Sequence, residues 1–237
     1  MPKSHKLVYA LYVLVWIVMA INPKYPQDWL LENVLIFIFF PFLFFMDKKH
    51  HYTLLSIIFL LIFTSLHSLG SHYTYAEVPY DAFFVSYFNF SLNELLGWER
   101  NNFDRIVHFL YGLLLAYPVK ELYCRIARAE GFWGYFFPLE LTMATSMIYE
   151  LIEWGAAEVF GGDLGMAYLG TQGDIWDAHK DMALASLGAF LAMGITLILN
   201  LRIQKDFREE WVASLSVKHH RPLGEDEIVR LVKGEDR

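Results

Sequence analysis

The sequence is poor in cysteine and in charge. Its 237 residues include a single cysteine, Cys124, so an intrachain disulfide is impossible and a thiolate metal site is not expected. Only 19% of the residues are charged and 56% are hydrophobic, whereas soluble domains usually carry about a quarter charged residues. The charges also fall between long apolar blocks. This distribution indicates a membrane protein.

Six apolar segments are candidates for membrane-spanning helices. A span needs about 20 mostly apolar residues, because the hydrocarbon core is about 30 Å thick. The segments are 7–21, 29–46, 52–70, 106–122, 132–157 and 182–201. The first has a basic start like a signal peptide, but no small-residue cleavage site follows it. We therefore predict an all-α polytopic helical bundle over residues 1–201, with a cytoplasmic tail over 202–237.

Lysine and arginine set the predicted orientation, because cytoplasmic loops are enriched in both. With the N-terminus inside, fifteen of the 19 lysines and arginines lie inside, eight of them in the tail. The four that lie outside are Lys24, Arg100, Arg105 and Lys180. The opposite orientation would invert this bias, so the sequence predicts both termini in the cytoplasm.

The stretch 78–98 lies outside in this topology. It is aromatic and apolar, but Asp81, Asn89, Asn93 and Glu94 interrupt it. Aromatic residues favour the headgroup level of a bilayer. We expect an interfacial or re-entrant segment here rather than a seventh span.

Ionisable residues gather at the predicted outer ends of four spans. Asp104 and His108 are four apart on the fourth span, and Glu150 and Glu153 are three apart on the fifth, so each pair shares a helix face. Further members come from the third span and from the start of the sixth. They are His67, Asp174, Asp177 and Asp181, the three aspartates forming one stripe if the sixth helix starts near Asp174.

Such a cluster predicts a metal site. Carboxylates held together repel one another unless a cation or protons lie among them. Carboxylate and imidazole ligands without thiolate suit Mg²⁺, Mn²⁺, Zn²⁺ or Fe²⁺, and such an ion could polarise a phosphoryl or acyl oxygen or activate water. The metal ligands would be Asp104, His108, Glu150, Glu153, Asp174, Asp177 and Asp181, with His67 as a catalytic general base.

Other interpretations use the same residues. A proton- or ion-coupled transporter would need a similar set, and a non-catalytic envelope protein could use it as a structural polar clamp. Asp174 with Asp177, and Asn101 with Asp104, also resemble ordinary helix caps. His67 alone is more typical of a packed histidine than of a ligand. Capping does not explain Glu150 and Glu153, which lie at a helix C-terminal end, where the dipole disfavours acids.

The motifs resemble a bacterial family. NFDRIVHFLYG, YELIEW, GTQGDIWDAHKDM, and His67 with Gly70 are similar to the YjdF-type predicted inner-membrane proteins, which have no established function. A fainter likeness is to VanZ-like proteins, associated with glycopeptide resistance, although Glu153 and Trp154 stand near the place of their typical glutamine. The resemblance implies a bacterial plasma-membrane location. Membrane lipids are the expected partners, and no nucleic acid is expected.

Overall fold

Long helices make up most of the chain. The computed structural model describes residues 1–162, 165, 171–218 and 224–234, and its regular structure is helical throughout those ranges. The six long helices are α1 (Lys3–Ala20), α2 (Pro26–His50), α3 (Leu54–Tyr73), α6 (Phe103–Ile126), α7 (Trp133–Phe160) and α8 (Asp177–Ile203). The short ones are α4 (Tyr80–Phe88), α5 (Leu92–Leu96), α9 (Phe207–Ser214) and α10 (Glu225–Lys233).

The six predicted spans correspond to the six long helices. The helices mostly extend beyond the predicted bounds, because hydropathy marks only the apolar part and polar turns continue the helix. By length and composition, α1, α2, α3 and α8 are able to cross a membrane. The other two, α6 and α7, have 24 and 28 residues and are not among these four, because no stretch of either is both apolar enough and poor enough in charge.

Two glycines let α6 and α8 approach closely. A Cβ on Gly112 would collide with the backbone carbonyl oxygen of Ala185, and one on Gly188 would collide with the carbonyl of Phe109. The two helices run parallel and in register: Arg100, just before α6, pairs with Asp177, 77 positions later, and Gly112 faces Ala189 at the same separation. Small residues permit such close packing between membrane helices.

Pro138 does not break α7, although it removes one helical donor. Proline has no N–H, so the carbonyl of Gly134 loses its normal partner. Lys120 of α6 donates to that carbonyl at 3.1 Å. The side chain from the neighbouring helix therefore satisfies a group that the proline leaves free.

Residues 78–98 form two short helices, α4 and α5, neither of which contains a buried residue. Asp81 joins them by accepting hydrogen bonds from the Ser91 hydroxyl and the Asn93 N–H. In the tail, α9 packs against the bundle, where Phe207 is buried beside Tyr135. The start of the tail is therefore helical and packed on the bundle, and parts of the tail, 219–223 and 235–237, lie outside the described residues.

The glycine contact gives a direct test of α6–α8 packing. We expect Gly112→Ala and Gly188→Ala each to lower stability by about 1–3 kcal/mol, the usual cost of overpacking. The matched control is Gly194→Ala, on the same helix α8, where an added Cβ meets nothing within 4 Å. That control should be neutral or slightly stabilising, since alanine is the better helix former. Thermal unfolding in detergent measures the stability of each variant. Equal melting temperatures for Gly188→Ala and Gly194→Ala would contradict the close contact of α6 with α8.

Candidate functional site

Three helices bring the predicted acidic residues to one end of the bundle. Asp104 and His108 come from the first turns of α6, Glu150 and Glu153 from α7, and Asp177 and Asp181 from the start of α8. α8 begins at Asp177, so Asp174 precedes it and is not on the helical stripe that a start near Asp174 would give. The helix-based members of the cluster therefore share one site, and Asp174 approaches it from the preceding loop.

The centre of the site is a group of three potential metal ligands. One ligand atom each from Asp104, His108 and Asp181 lies within 4.8 Å of the other two. His108 Nε2 is 3.5 Å from Asp104 Oδ1 and 3.6 Å from Glu150 Oε1. Metal–oxygen and metal–nitrogen bonds of about 2.0–2.6 Å place neighbouring ligands of one ion about 3–4 Å apart and opposite ligands about 4–5 Å apart. Asp104, His108 and Asp181 therefore offer metal-binding chemistry at a spacing near the upper limit for one ion.

Two carboxylate oxygens, one in this group and one beside it, have no hydrogen-bond partner among the described residues. They are Oδ1 of Asp181, a residue that is 2% exposed, and Oε1 of Glu150. Buried polar atoms are normally satisfied, and an unsatisfied one costs about 1–3 kcal/mol. Such oxygens are available to bind a cation or a proton.

Arginine divides the predicted acidic set into two parts. Arg100 pairs with Asp177, and Arg105 pairs with Asp174 and lies 3.3 Å from Asp177. Lys180 adds a second ion pair to Asp174, at 2.5 Å. In the described part of the chain, no lysine or arginine forms an ion pair with Asp104, Glu150, Glu153 or Asp181. The aspartates paired with arginine resemble a clamp, whereas the carboxylates without a lysine or arginine, two of which lie beside the His108 imidazole, resemble a ligand set.

His67, the predicted general base, has both ring nitrogens engaged. Nε2 lies 3.1 Å from the backbone carbonyl of Glu32, which can only accept, so Nε2 carries the proton. Nδ1 then accepts from the Tyr75 hydroxyl. Gly70 makes this possible, because a Cβ there would lie 2.6 Å from Cζ of Tyr75. His67 is thus held in one orientation by its neighbours.

Sequence reasoning missed Glu32 and the two arginines as parts of the site. Glu32 lies on α2, is 6% exposed, and its Oε2 has no hydrogen-bond partner among the described residues. An acidic residue inside an apolar span indicates a functional site by itself. Glu32 is such a residue, since it lies in the apolar segment LLENVLIF. Arg100 and Arg105 could not be assigned from the sequence, because their partners follow about 70 residues later.

A cavity of about 330 Å³ opens beside the ligand group. It is lined by α2, α3, α6 and α7, and its wall includes Asp104, His108 and His67. The remaining lining is mostly apolar or aromatic, with Thr64, Thr145 and Ser146 as small polar exceptions. Ligand pockets commonly begin at about 300 Å³ and combine an apolar wall with a few polar groups.

A bundle of long apolar helices with ionisable groups gathered inside one end defines a polytopic membrane protein. The chain belongs to the DUF2238 family, described as predicted membrane proteins, whose family model matches residues 4–202. It is 35% identical over 181 residues to the inner membrane protein YjdF of Escherichia coli strain K12, covering 74% of this chain and 80% of that protein. No solved structure matches the chain.

These comparisons confirm the resemblance to YjdF-type proteins that the motifs predict. They also confirm the location: the chain is a multi-pass protein of the bacterial inner membrane.

The ion pairs of Asp174 predict an acid-sensitive loop. Lys180 first, then the Trp176 N–H and Arg105, lower the pKa of Asp174 below its ordinary value. The stabilisation is therefore complete above the unfolded pKa of about 4 and lost as the pH falls through the lower folded pKa. We expect rate-corrected hydrogen exchange of residues 171–177 to increase on acidification below about pH 4.

The control for this loop is Asp174→Asn. It cannot titrate, so the exchange of residues 171–177 should already be faster at neutral pH and should change less on acidification. An unchanged pH response in the variant would show that another group controls the loop.

Proposed function

We propose that this protein is a metal-dependent membrane hydrolase or transferase acting on a lipid or envelope substrate at the outer face of the inner membrane. The observation that carries the proposal is the ligand group of Asp104, His108 and Asp181, whose ligand atoms lie within 4.8 Å of one another. The adjoining cavity supplies space for a substrate next to those atoms.

Electrostatics favours a cation at this position. Asp104 and Asp181 have no lysine or arginine ion pair in the described ranges, and carboxylates packed closely repel unless a cation or protons lie among them. Two carboxylates with one imidazole suit Zn²⁺, Mn²⁺ or Mg²⁺. Glu150 is the natural fourth ligand, because its Oε1 makes no hydrogen bond with the described residues and lies 3.6 Å from His108 Nε2.

The other residues have separable roles in this proposal. A bound divalent ion would supply Lewis-acid chemistry and an activated water. Glu150, if it is not a ligand, is placed to accept a proton as general base. His67 positions the wall of the cavity rather than acting as a free base, since both its nitrogens are engaged. Asp174 and Asp177 hold the arginines.

Metal content tests the proposal. By elemental analysis after purification without chelator, we expect close to one divalent ion per chain in the wild type. Asp181→Asn should lose it, because the substitution weakens a ligand. Asp177→Asn should retain it, because Asp177 serves Arg100 and Arg105. Glu158→Gln, exposed on α7, is the control for loss of one acid.

A cooperative thermal unfolding transition is the check that each variant is folded. If the folded wild type binds no metal even after addition of Zn²⁺, Mn²⁺ or Mg²⁺, the metalloenzyme proposal is wrong. If Asp181→Asn and Glu158→Gln lose the same amount of bound metal, the ion does not bind at Asp104, His108 and Asp181.

We also propose that all six long helices cross the membrane, with both termini in the cytoplasm and residues 202–237 as a cytoplasmic tail. The lengths of α6 and α7, 24 and 28 residues, exceed the span requirement of about 20. Their charged residues lie near their ends or in the interior cluster, except for Glu140, which is exposed on α7. The lysine and arginine bias supports the orientation.

Cysteine labelling tests this topology. Cys124, exposed at the end of α6 opposite the cluster, should react only with a membrane-permeant maleimide in spheroplasts. In a Cys124→Ser background, Glu99→Cys should react with an impermeant maleimide, since exposed Glu99 lies just before α6. Labelling of both positions by the impermeant reagent, or of Cys124 alone, would contradict the orientation.

A further inference from the structure

The cavity beside the ligand group is graded in polarity along the helix axis. Its α6 wall runs from Asp104 to Leu115, a rise of about 16 Å at 1.5 Å per residue. Asp104 and His108 line the end near the cluster, and Leu115 lines the far end. The lining from α3 follows the same order, from His67 at the cluster end to Phe63 farther along the bundle. The cavity therefore has a polar end and an apolar end.

This gradient matches an amphiphile lying along the membrane normal. In the proposed topology the polar end is at the outer surface and the apolar end is within the hydrocarbon region. Leu35, Ile36 and Phe39 of α2 form an apolar wall on one side. At about 330 Å³ the space is roughly twice an engineered cavity of about 150 Å³ that takes up benzene. A single hydrocarbon chain fits these dimensions and this lining.

The helix packing leaves one side of the cavity without a closely packed pair. Among the described helices, α2 packs on α3, while α7 packs on α6 and α8. Residues of α2 and α7 face each other across the cavity, but these two helices are not a packed pair. Leu35 and Phe39 on α2, and Thr145 and Tyr149 on α7, are only half-buried. A lipid chain could enter between α2 and α7 directly from the bilayer.

One lining residue has a hydroxyl with no described partner. Ser146 of α7 is 2% exposed, lines the cavity, and its Oγ makes no hydrogen bond with the described residues. An apolar cavity of this size favours a bound hydrocarbon, because its lining atoms gain contacts when the space is filled. Ser146 lies in the wall that a bound hydrocarbon chain would contact.

We propose that this cavity binds one hydrocarbon chain of a lipid substrate, entering between α2 and α7 and placing its headgroup at Asp104, His108 and Asp181. The proposal rests on the proposed function and specifies its substrate class: an amphiphile whose reacting group lies next to a long chain. The hydrocarbon chain of the lipid contributes binding energy through apolar contacts with the cavity wall. Asp104, His108 and Asp181 contact its polar headgroup.

Photo-crosslinking tests the cavity directly. The probe is a monoacyl phospholipid with a diazirine near the end of its hydrocarbon chain, added to purified full-length protein, with crosslinks mapped by mass spectrometry. We expect crosslinks at the apolar end, at Phe39, Phe63 and Leu115. Crosslinks confined to outward-facing residues of the bundle would overturn the proposal.

Two variants on α7 separate the cavity from the outer surface of the same helix. Ser146→Phe fills the cavity without breaking a described hydrogen bond, and should reduce cavity crosslinks at least several-fold. Met147→Phe is the matched control, since Met147 is 47% exposed on the outside of α7. It should crosslink like the wild type. Equal crosslinking of the two folded variants would overturn the proposal.

Two further variants guard against misfolding and separate this proposal from the metal site. Leu115→Ala enlarges the apolar end, and should shift the preference toward probes with longer chains. Asp181→Asn should lose metal yet keep the chain crosslinks, whereas Ser146→Phe should lose the crosslinks yet keep metal. If the wild type binds metal but gives no crosslinks in the cavity, the proposed hydrocarbon-binding cavity is refuted and the metal site is not. Cavity crosslinks without metal would refute the metalloenzyme and leave a lipid-binding protein.

Discussion

The cost of placing carboxyl groups inside an apolar helical bundle governs this end of the molecule. Insertion scales put that cost at about 2.5–3.5 kcal/mol for each charged group near a span centre, and neighbouring carboxylates add mutual repulsion. The carboxyl groups at this end of the bundle fall into two sets, one paired with cationic side chains and one not. Arg100, Arg105 and Lys180 neutralise Asp174 and Asp177. Asp104, Asp181 and Glu150 receive no lysine or arginine from the described residues. The His108 imidazole lies beside Asp104 and Glu150, and bound protons or a cation would reduce the repulsion among the three carboxylates.

The close contact of α6 with α8 makes that arrangement possible. Asp104 and Asp181 belong to different helices, and each lies about two turns before the glycine of its own helix at the contact. With Cβ atoms at Gly112 and Gly188, the helices would move apart. The distance between the two carboxylates would then grow with the helix separation, and the ligand group would lose its spacing. Packing in the apolar region therefore sets the geometry of the polar one.

The sequence predicts the architecture well because hydropathy and helix periodicity are local properties. All six long helices, the interruption at 78–98, and the sharing of one face by Asp104 and His108 follow from short-range pattern. Contacts between side chains that are far apart in the sequence do not follow from such patterns. Nothing near Arg105 indicates that it reaches Asp174, and nothing near His67 indicates that Tyr75 and Glu32 would occupy its nitrogens. Helix α8 starts at Asp177, three residues after the start near Asp174 that would place the three aspartates on one stripe.

The division within the acidic set favours a binding function over a clamp. A clamp needs each buried charge to have a partner, and the pairs of Arg100 and Arg105 meet that need for Asp174 and Asp177 only. It has no use for a cavity of about 330 Å³ beside it, since filling that space with side chains would add stability. Here the Asp181 and Glu150 oxygens that lack hydrogen bonds lie near the polar end of the cavity, which Asp104 and His108 line. Each is costly alone, and a ligand with a polar end and an apolar chain would offset both.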